Sequence, residues 1–132
     1  MSHELLWLTL TLALTSSFWI PYVLNRVAVR GLMGTFANPS TALAPLAPWA
    51  QRAQAAHYNA IENLAVFAPA ALAVHVLQLG NATTDLACAL YFGARLAHFV
   101  IYTLGIPVLR TLAFTAGWIA TAVLIVRLAG QS

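Results

Sequence analysis

Residues 52–72 read RAQAAHYNAIENLAVFAPAAL, a helix-like stretch whose first half is polar and whose second half is not. Arg52, His57, Asn59, Glu62 and Asn63 all fall in the first half. Working outward, the apolar run continues to residue 79, so residues 52–79 exceed the roughly 20 residues needed to span a bilayer. Three more apolar stretches, approximately residues 5–24, 86–104 and 108–128, also meet that length. The chain has 132 residues, 61% hydrophobic and only 7% charged, against about 25% charged in ordinary globular proteins. Too few polar residues remain to coat a soluble core. The expected fold is all-α and integral to the membrane: four transmembrane helices in an up-down-up-down bundle, forming a single domain over residues 1–132. The first stretch is read as an uncleaved span, since it lacks a basic n-region and a clear A-x-A site and carries Glu4.

The connections are unequal. Residues 30–50 form a long first loop punctuated by Gly31, Gly34, Asn38, Pro39, Pro45 and Pro48. GNATT at residues 80–84 is a tight turn with Thr84 as the expected N-cap, and LGIP at residues 104–107 is another, with Pro107 at a first helical position. Arg26, Arg30 and Arg52 flank the first connection and Arg110 the third, whereas Glu4, Asp85 and Arg127 lie at the other end. The positive-inside rule then puts the first and third connections in the cytoplasm and both termini outside, in a multi-pass protein. At about 1.5 Å per residue the second helix outruns a hydrocarbon core of about 30 Å, so its first turns belong at the interface.

The formal charge of +3 comes from six scattered Arg and no Lys, which points neither to nucleic acid nor to a polybasic lipid tail. Cys88 stands alone in the third span, as a small buried apolar residue. No His, Cys, Asp or Glu set has metal-ligand spacing, so no metal is expected. His75 is read as a core or helix-contact residue deep in its span, and His3 as an exposed terminus.

Intramembrane polar residues remain to be explained. Arg52, Asn59 and Glu62 share one helix stripe, with His57 pointing elsewhere, and Arg95, His98 and Tyr102 share another. An ionised Arg at mid-membrane costs about 2.5–3.5 kcal/mol on insertion scales, so Arg95 must face a partner or a cavity. Glu62 is the acid on that half of the protein able to meet it, and a structural ion pair Glu62–Arg95 is expected. Arg30, Arg52 and Arg110 gather at the same end beside Asn59, His98, Tyr102 and Thr111. Two readings stand open: Arg residues snorkelling at span ends, or an anion pocket in which Arg holds carboxylates.

Three stretches carry a family likeness: FANPSTA at residues 36–42 after VRGL, the A-H-x-N-x-x-E-N core within residues 52–72, and ARLAHFVIYTLGIPVLRT at residues 94–111. With the four-span plan, the chain resembles the MAPEG family, the membrane-associated proteins in eicosanoid and glutathione metabolism, as a small four-span member. That resemblance implies a homotrimer with glutathione as co-substrate, bound at subunit interfaces near the cytoplasmic side. It implies that Arg30, Arg52, Asn59, Glu62, His98 and Tyr102 hold the tripeptide, Arg30 on a carboxylate and Glu62 on the amino group. Arg110 and Thr111 then act at the sulfur, where cation and hydroxyl favour the thiolate. The reaction implied is transfer to, or reduction of, a lipophilic small molecule from the bilayer.

The chain also departs from that pattern. Ala55 and Tyr58 stand where several enzymes of the family have Arg, and Phe114 where some have a Tyr hydroxyl. The interval from Pro107 to Arg110 is one residue longer than in the prostaglandin branch. The competing expectation is a non-catalytic lipid- or partner-binding scaffold of the same fold. A transporter would call for interrupted spans or midplane charges on several helices, and the sequence offers no interrupted pair of spans.

Overall fold

Pro21 shapes the first span. It has no N–H to give the carbonyl of Ser17, one turn back, and in the turn before it the Ser16 and Ser17 hydroxyls donate to the Ala13 and Leu14 carbonyls at 2.8 and 2.7 Å. The result, in a computed structural model describing residues 1–131, is a joint at Phe18 between α1 (His3–Ser17) and α2 (Trp19–Phe36). Phe18 keeps helical dihedrals (φ −65°, ψ −17°), so the two helices continue as one bent rod of 34 residues, His3–Phe36. Its ring is buried and stacks on Phe99 at 3.9 Å between centroids.

Three further helices follow: α3 (Pro48–Val76), α4 (Ala82–Leu104) and α5 (Pro107–Ala129). With the bent first rod they make four helices long and apolar enough to cross a membrane. Short turns join α3 to α4 and α4 to α5, and α4 is the hub, packed on α1, α3 and α5. Its core is tight around Phe67 and Tyr91, whose rings stack at 3.6 Å, with Leu8, Val74, Cys88 and Leu124 about them. On α3, Ala50, Ala53, Ala56 and Ala60 are buried, and side chains this small let neighbouring backbones approach closely. Large apolar side chains such as Leu24, Val66, Leu86, Leu112 and Val126 remain exposed on the outer faces, as lipid-facing residues do.

Several sequence expectations shift in detail. The first connection is shorter than residues 30–50. Gly31 does break the helix, with φ 69° and ψ 175°, a conformation essentially restricted to glycine. Helical geometry then resumes to Phe36. The N-cap of α4 is Asn81, not Thr84: the Asn81 side chain accepts from the Thr83 and Thr84 amides at 2.9 and 3.0 Å. Thr84 occupies the third helical position and closes the reciprocal half of a capping box by accepting from the Asn81 amide at 2.8 Å. Pro107 opens α5 as expected. His75 is not deep in its span, because α3 ends at Val76; its Nδ1 pairs with the Ser2 hydroxyl at 3.1 Å.

Candidate functional site

The polar stripe of α3, the Arg95 stripe of α4 and the first turns of α5 converge at one end of the bundle. Asn59, His98, Tyr102, Arg110, Thr111 and Phe114 line a cavity there of about 230 Å³. Five of these six were singled out from the sequence as site residues. Phe114 forms the remaining wall.

Arg110 lies over the Tyr102 ring, with Cζ 4.3 Å from the centroid. The ring holds the guanidinium at the cavity while leaving its N–H groups free of the stacking plane. His98 is buried and meets Tyr102 edge-on at 5.5 Å and Phe114 at 6.3 Å. The cavity therefore has a cation, an amide and an imidazole on aromatic walls. That donor set suits an anionic, peptide-like ligand. Thr111 donates its hydroxyl to the Pro107 carbonyl at 3.2 Å, the back-bonding usual for Thr within a helix.

Behind the cavity lies Arg95, only 1% exposed. The expected ion pair with Glu62 is not formed within the chain: among the described residues the one ion pair is His3 with Asp85. Arg95 instead donates to Asn59 Oδ1 at 3.3 Å and to the Phe114 carbonyl at 3.2 Å. Its guanidinium also faces the Tyr91 and Phe114 rings at 5.3 and 5.5 Å. The rotation of α3 explains the difference, because it turns Asn59 toward α4 and leaves Glu62 exposed on the outside of the subunit. Asn59 is held from both sides, as its carbonyl and side-chain oxygens also accept from Asn63 Nδ2 at 2.8 and 3.3 Å.

Gly117 makes room for this arrangement. A Cβ there would come within 2.9 Å of Arg95 Nε and 3.0 Å of Cζ. Because the guanidinium is pinned by two hydrogen bonds, Gly117→Ala is expected to displace it and to cost about 1–3 kcal/mol, as overpacked cores do. Thermal melting in detergent reads this out, and unchanged stability contradicts it.

The two other cations lie apart from the cavity lining. Arg30 Nε donates to the Ala44 carbonyl at 2.7 Å and so braces the first loop. Arg52 Nε donates to the Thr103 carbonyl at 3.0 Å. Its guanidinium lies against Gly105, the left-handed cap of α4 (φ 79°). There it supplies the positive charge that a helix C-terminus favours.

Sequence reasoning missed His57 as a fastener. Its Nδ1 bonds the Tyr22 hydroxyl at 2.9 Å in the interior, and its ring sits edge-on to Phe18. The A-H-x-N-x-x-E-N core thus serves two faces: His57 pins the bent first span, and Asn59 reaches the cavity. The signal was the offset of His57 from the Arg52–Asn59–Glu62 stripe.

No curated protein and no solved structure matches the chain. Residues 5–130, nearly its whole length, match the MAPEG family. With four helices long and apolar enough to span a membrane and a match over nearly its whole length, the chain belongs to the MAPEG family, membrane proteins of glutathione and eicosanoid metabolism.

Proposed function

We propose that the protein is a membrane-bound glutathione-dependent transferase or peroxidase acting on lipophilic electrophiles, assembled as a homotrimer with glutathione at its subunit interfaces on the cytoplasmic side. The observation that carries this reading is the cavity in which Asn59, His98, Tyr102 and Arg110 meet. Glutathione has two carboxylates, one ammonium and a thiol. Arg110 suits the developing thiolate, and Asn59 and Tyr102 suit the peptide backbone.

Assembly is supported by what one subunit leaves open. Glu62 lies at the midpoint of α3 (Pro48–Val76) and is exposed. A carboxylate left against hydrocarbon is costly, so this face is covered in the membrane by a neighbouring subunit and by the ligand's ammonium group. The cavity of about 230 Å³ is also smaller than the roughly 300–1,000 Å³ of complete small-molecule sites. Arg30 and Arg52, at the same end, are available to a tripeptide lying across the interface.

A second reading has its own observation. The Thr111 hydroxyl proton is committed to the Pro107 carbonyl, and Phe114 carries no hydroxyl, which leaves the sulfur position with fewer donors. A lipid-binding scaffold needs none.

Calorimetric titration of the folded oligomer separates the two. The glutathione reading expects saturable binding by millimolar concentrations, weakened about tenfold or more by Asn59→Ala, whose amide would touch the ligand. Saturable fatty-acid binding with no response to glutathione would establish the scaffold instead.

A further inference from the structure

At the opposite end of the bundle lies a larger cavity, about 590 Å³, lined by Ser2, Glu4, His75, Gln78, Asn81 and Asp85 among others. His75 is sixteen residues beyond Asn59 on α3, or about 24 Å at 1.5 Å per residue. It therefore has no part in the site described above. Two of the chain's three acidic residues line this one space.

Glu4 is the informative residue. It is 6% exposed, and its Oε1 accepts from the Thr84 hydroxyl at 2.7 Å. No cation reaches it, since among the described residues the only ion pair is His3 with Asp85. Arg127, at the same end, gives its Nε to the Leu79 carbonyl at 3.0 Å. Gly80 keeps the turn pressed against the carboxylate; a Cβ there would stand 2.5 Å from Oε1. A buried carboxylate without a counter-charge is a costly thing to retain.

Asp85 adds a second carboxylate. Its Oδ2 takes His3 Nδ1 at 2.9 Å and its Oδ1 takes Trp7 Nε1 at 3.1 Å. Both acids sit in first helical turns, Glu4 of α1 and Asp85 of α4. A helix N-terminus carries only about half an elementary positive charge, and His3 answers Asp85, so the carboxylate left without a cationic partner in the cavity is that of Glu4. Around the acids stand further acceptors and donors from Ser2, Gln78 and Asn81.

We infer that this cavity binds a primary ammonium group, donated to the Glu4 and Asp85 carboxylates. A naked metal ion fits less well, because among the described residues no three His, Cys, Asp or Glu side chains are grouped to ligate one. The volume also exceeds what an ion needs and leaves room for an organic headgroup. An ammonium has three N–H donors, which the two carboxylates and the neighbouring side-chain oxygens accept. The source is either a free amine or the ethanolamine headgroup of a lipid, since the cavity opens beside the ends of spanning helices.

Calorimetric titration of the purified protein in mild detergent tests this, with ethanolamine, choline and zinc chloride as probes. Saturable ethanolamine binding is expected, weakened about tenfold or more by Glu4→Gln and by Asp85→Asn, the loss typical of one charge-assisted hydrogen bond. Choline, whose nitrogen has no N–H, is expected to bind at least that much more weakly. Asp85 is partly exposed, so Asp85→Asn remains informative if Glu4→Gln fails to fold. Absence of saturable ethanolamine binding, equal binding of choline, indifference to Asp85→Asn, or zinc binding with ethanolamine silent would each overturn the proposal. Repeating the titration in phosphatidylcholine nanodiscs, with and without phosphatidylethanolamine, identifies the source. A free-ethanolamine response abolished only by phosphatidylethanolamine supports the headgroup; a response kept in both supports a soluble amine.

Discussion

Arg95→Ala is expected to lower stability by about 3–5 kcal/mol, the largest single loss in the molecule, because it empties a fully packed site and removes two side-chain hydrogen bonds. Arg95 is 1% exposed and sits between Tyr91 and Phe114. Its removal takes the side-chain donor from the Phe114 carbonyl and leaves Asn59 Oδ1 with Asn63 Nδ2 alone. Arg95→Met restores much of the volume but neither hydrogen bond, so its cost is expected to fall to about 2–3 kcal/mol. Arg95→Lys keeps the charge on a single nitrogen, which cannot serve two diverging acceptors as a planar guanidinium does. It is expected to rescue little. Thermal unfolding of the three variants in one detergent gives the order, and an Arg95→Met protein as stable as the parent contradicts this account. Glutathione affinity is expected to fall in all three, since Arg95 orients Asn59 at the cavity wall.

The second large effect concerns turnover. Arg110→Ala is expected to reduce the rate with a lipophilic electrophile about 100- to 1,000-fold, the usual loss when a charge-stabilising donor is removed. The Tyr102 ring fixes the guanidinium from 4.3 Å, and Thr111 is turned toward Pro107, so little else stands ready to stabilise a thiolate. Affinity for glutathione should change less than rate, because Asn59 and Tyr102 remain. Arg110→Lys keeps the charge and loses the stacked plane, and an intermediate rate is expected. A variant that binds glutathione poorly but turns over normally at saturation would assign Arg110 to binding alone.

Much of this architecture was legible from residue spacing. Four apolar stretches fixed the number of spans, and Pro107 marked the start of α5 where it is found. The convergence of Asn59, His98, Tyr102, Arg110 and Thr111 on one cavity follows from two helix stripes and a short turn. The partner of Arg95 was not legible, for a geometric reason. Asn59 and Glu62 lie three residues apart on one stripe, and a small rotation of α3 decides which of them meets α4. Local sequence does not set that rotation; packing of the buried Ala50, Ala53, Ala56 and Ala60 does. The far end was missed for another reason. Ser2, His3, Glu4, His75, Thr84 and Asp85 belong to three helices and their caps, and no spacing along the chain links positions some 80 residues apart, as in the Glu4–Thr84 bond.

The central claim is that this cavity holds glutathione as a thiolate. The direct measurement is the ultraviolet difference spectrum of the folded oligomer titrated with glutathione to millimolar concentration at neutral pH. A free thiol with a pKa of about 8.5 is mostly protonated under these conditions, so the bulk contributes little thiolate absorbance. The account predicts a thiolate band that grows and saturates with the bound fraction, disappears in Arg110→Ala, and is absent with a glutathione analogue alkylated on sulfur. Saturable binding with no thiolate band in the parent protein would contradict the assignment of Arg110 as the group that stabilises the sulfur.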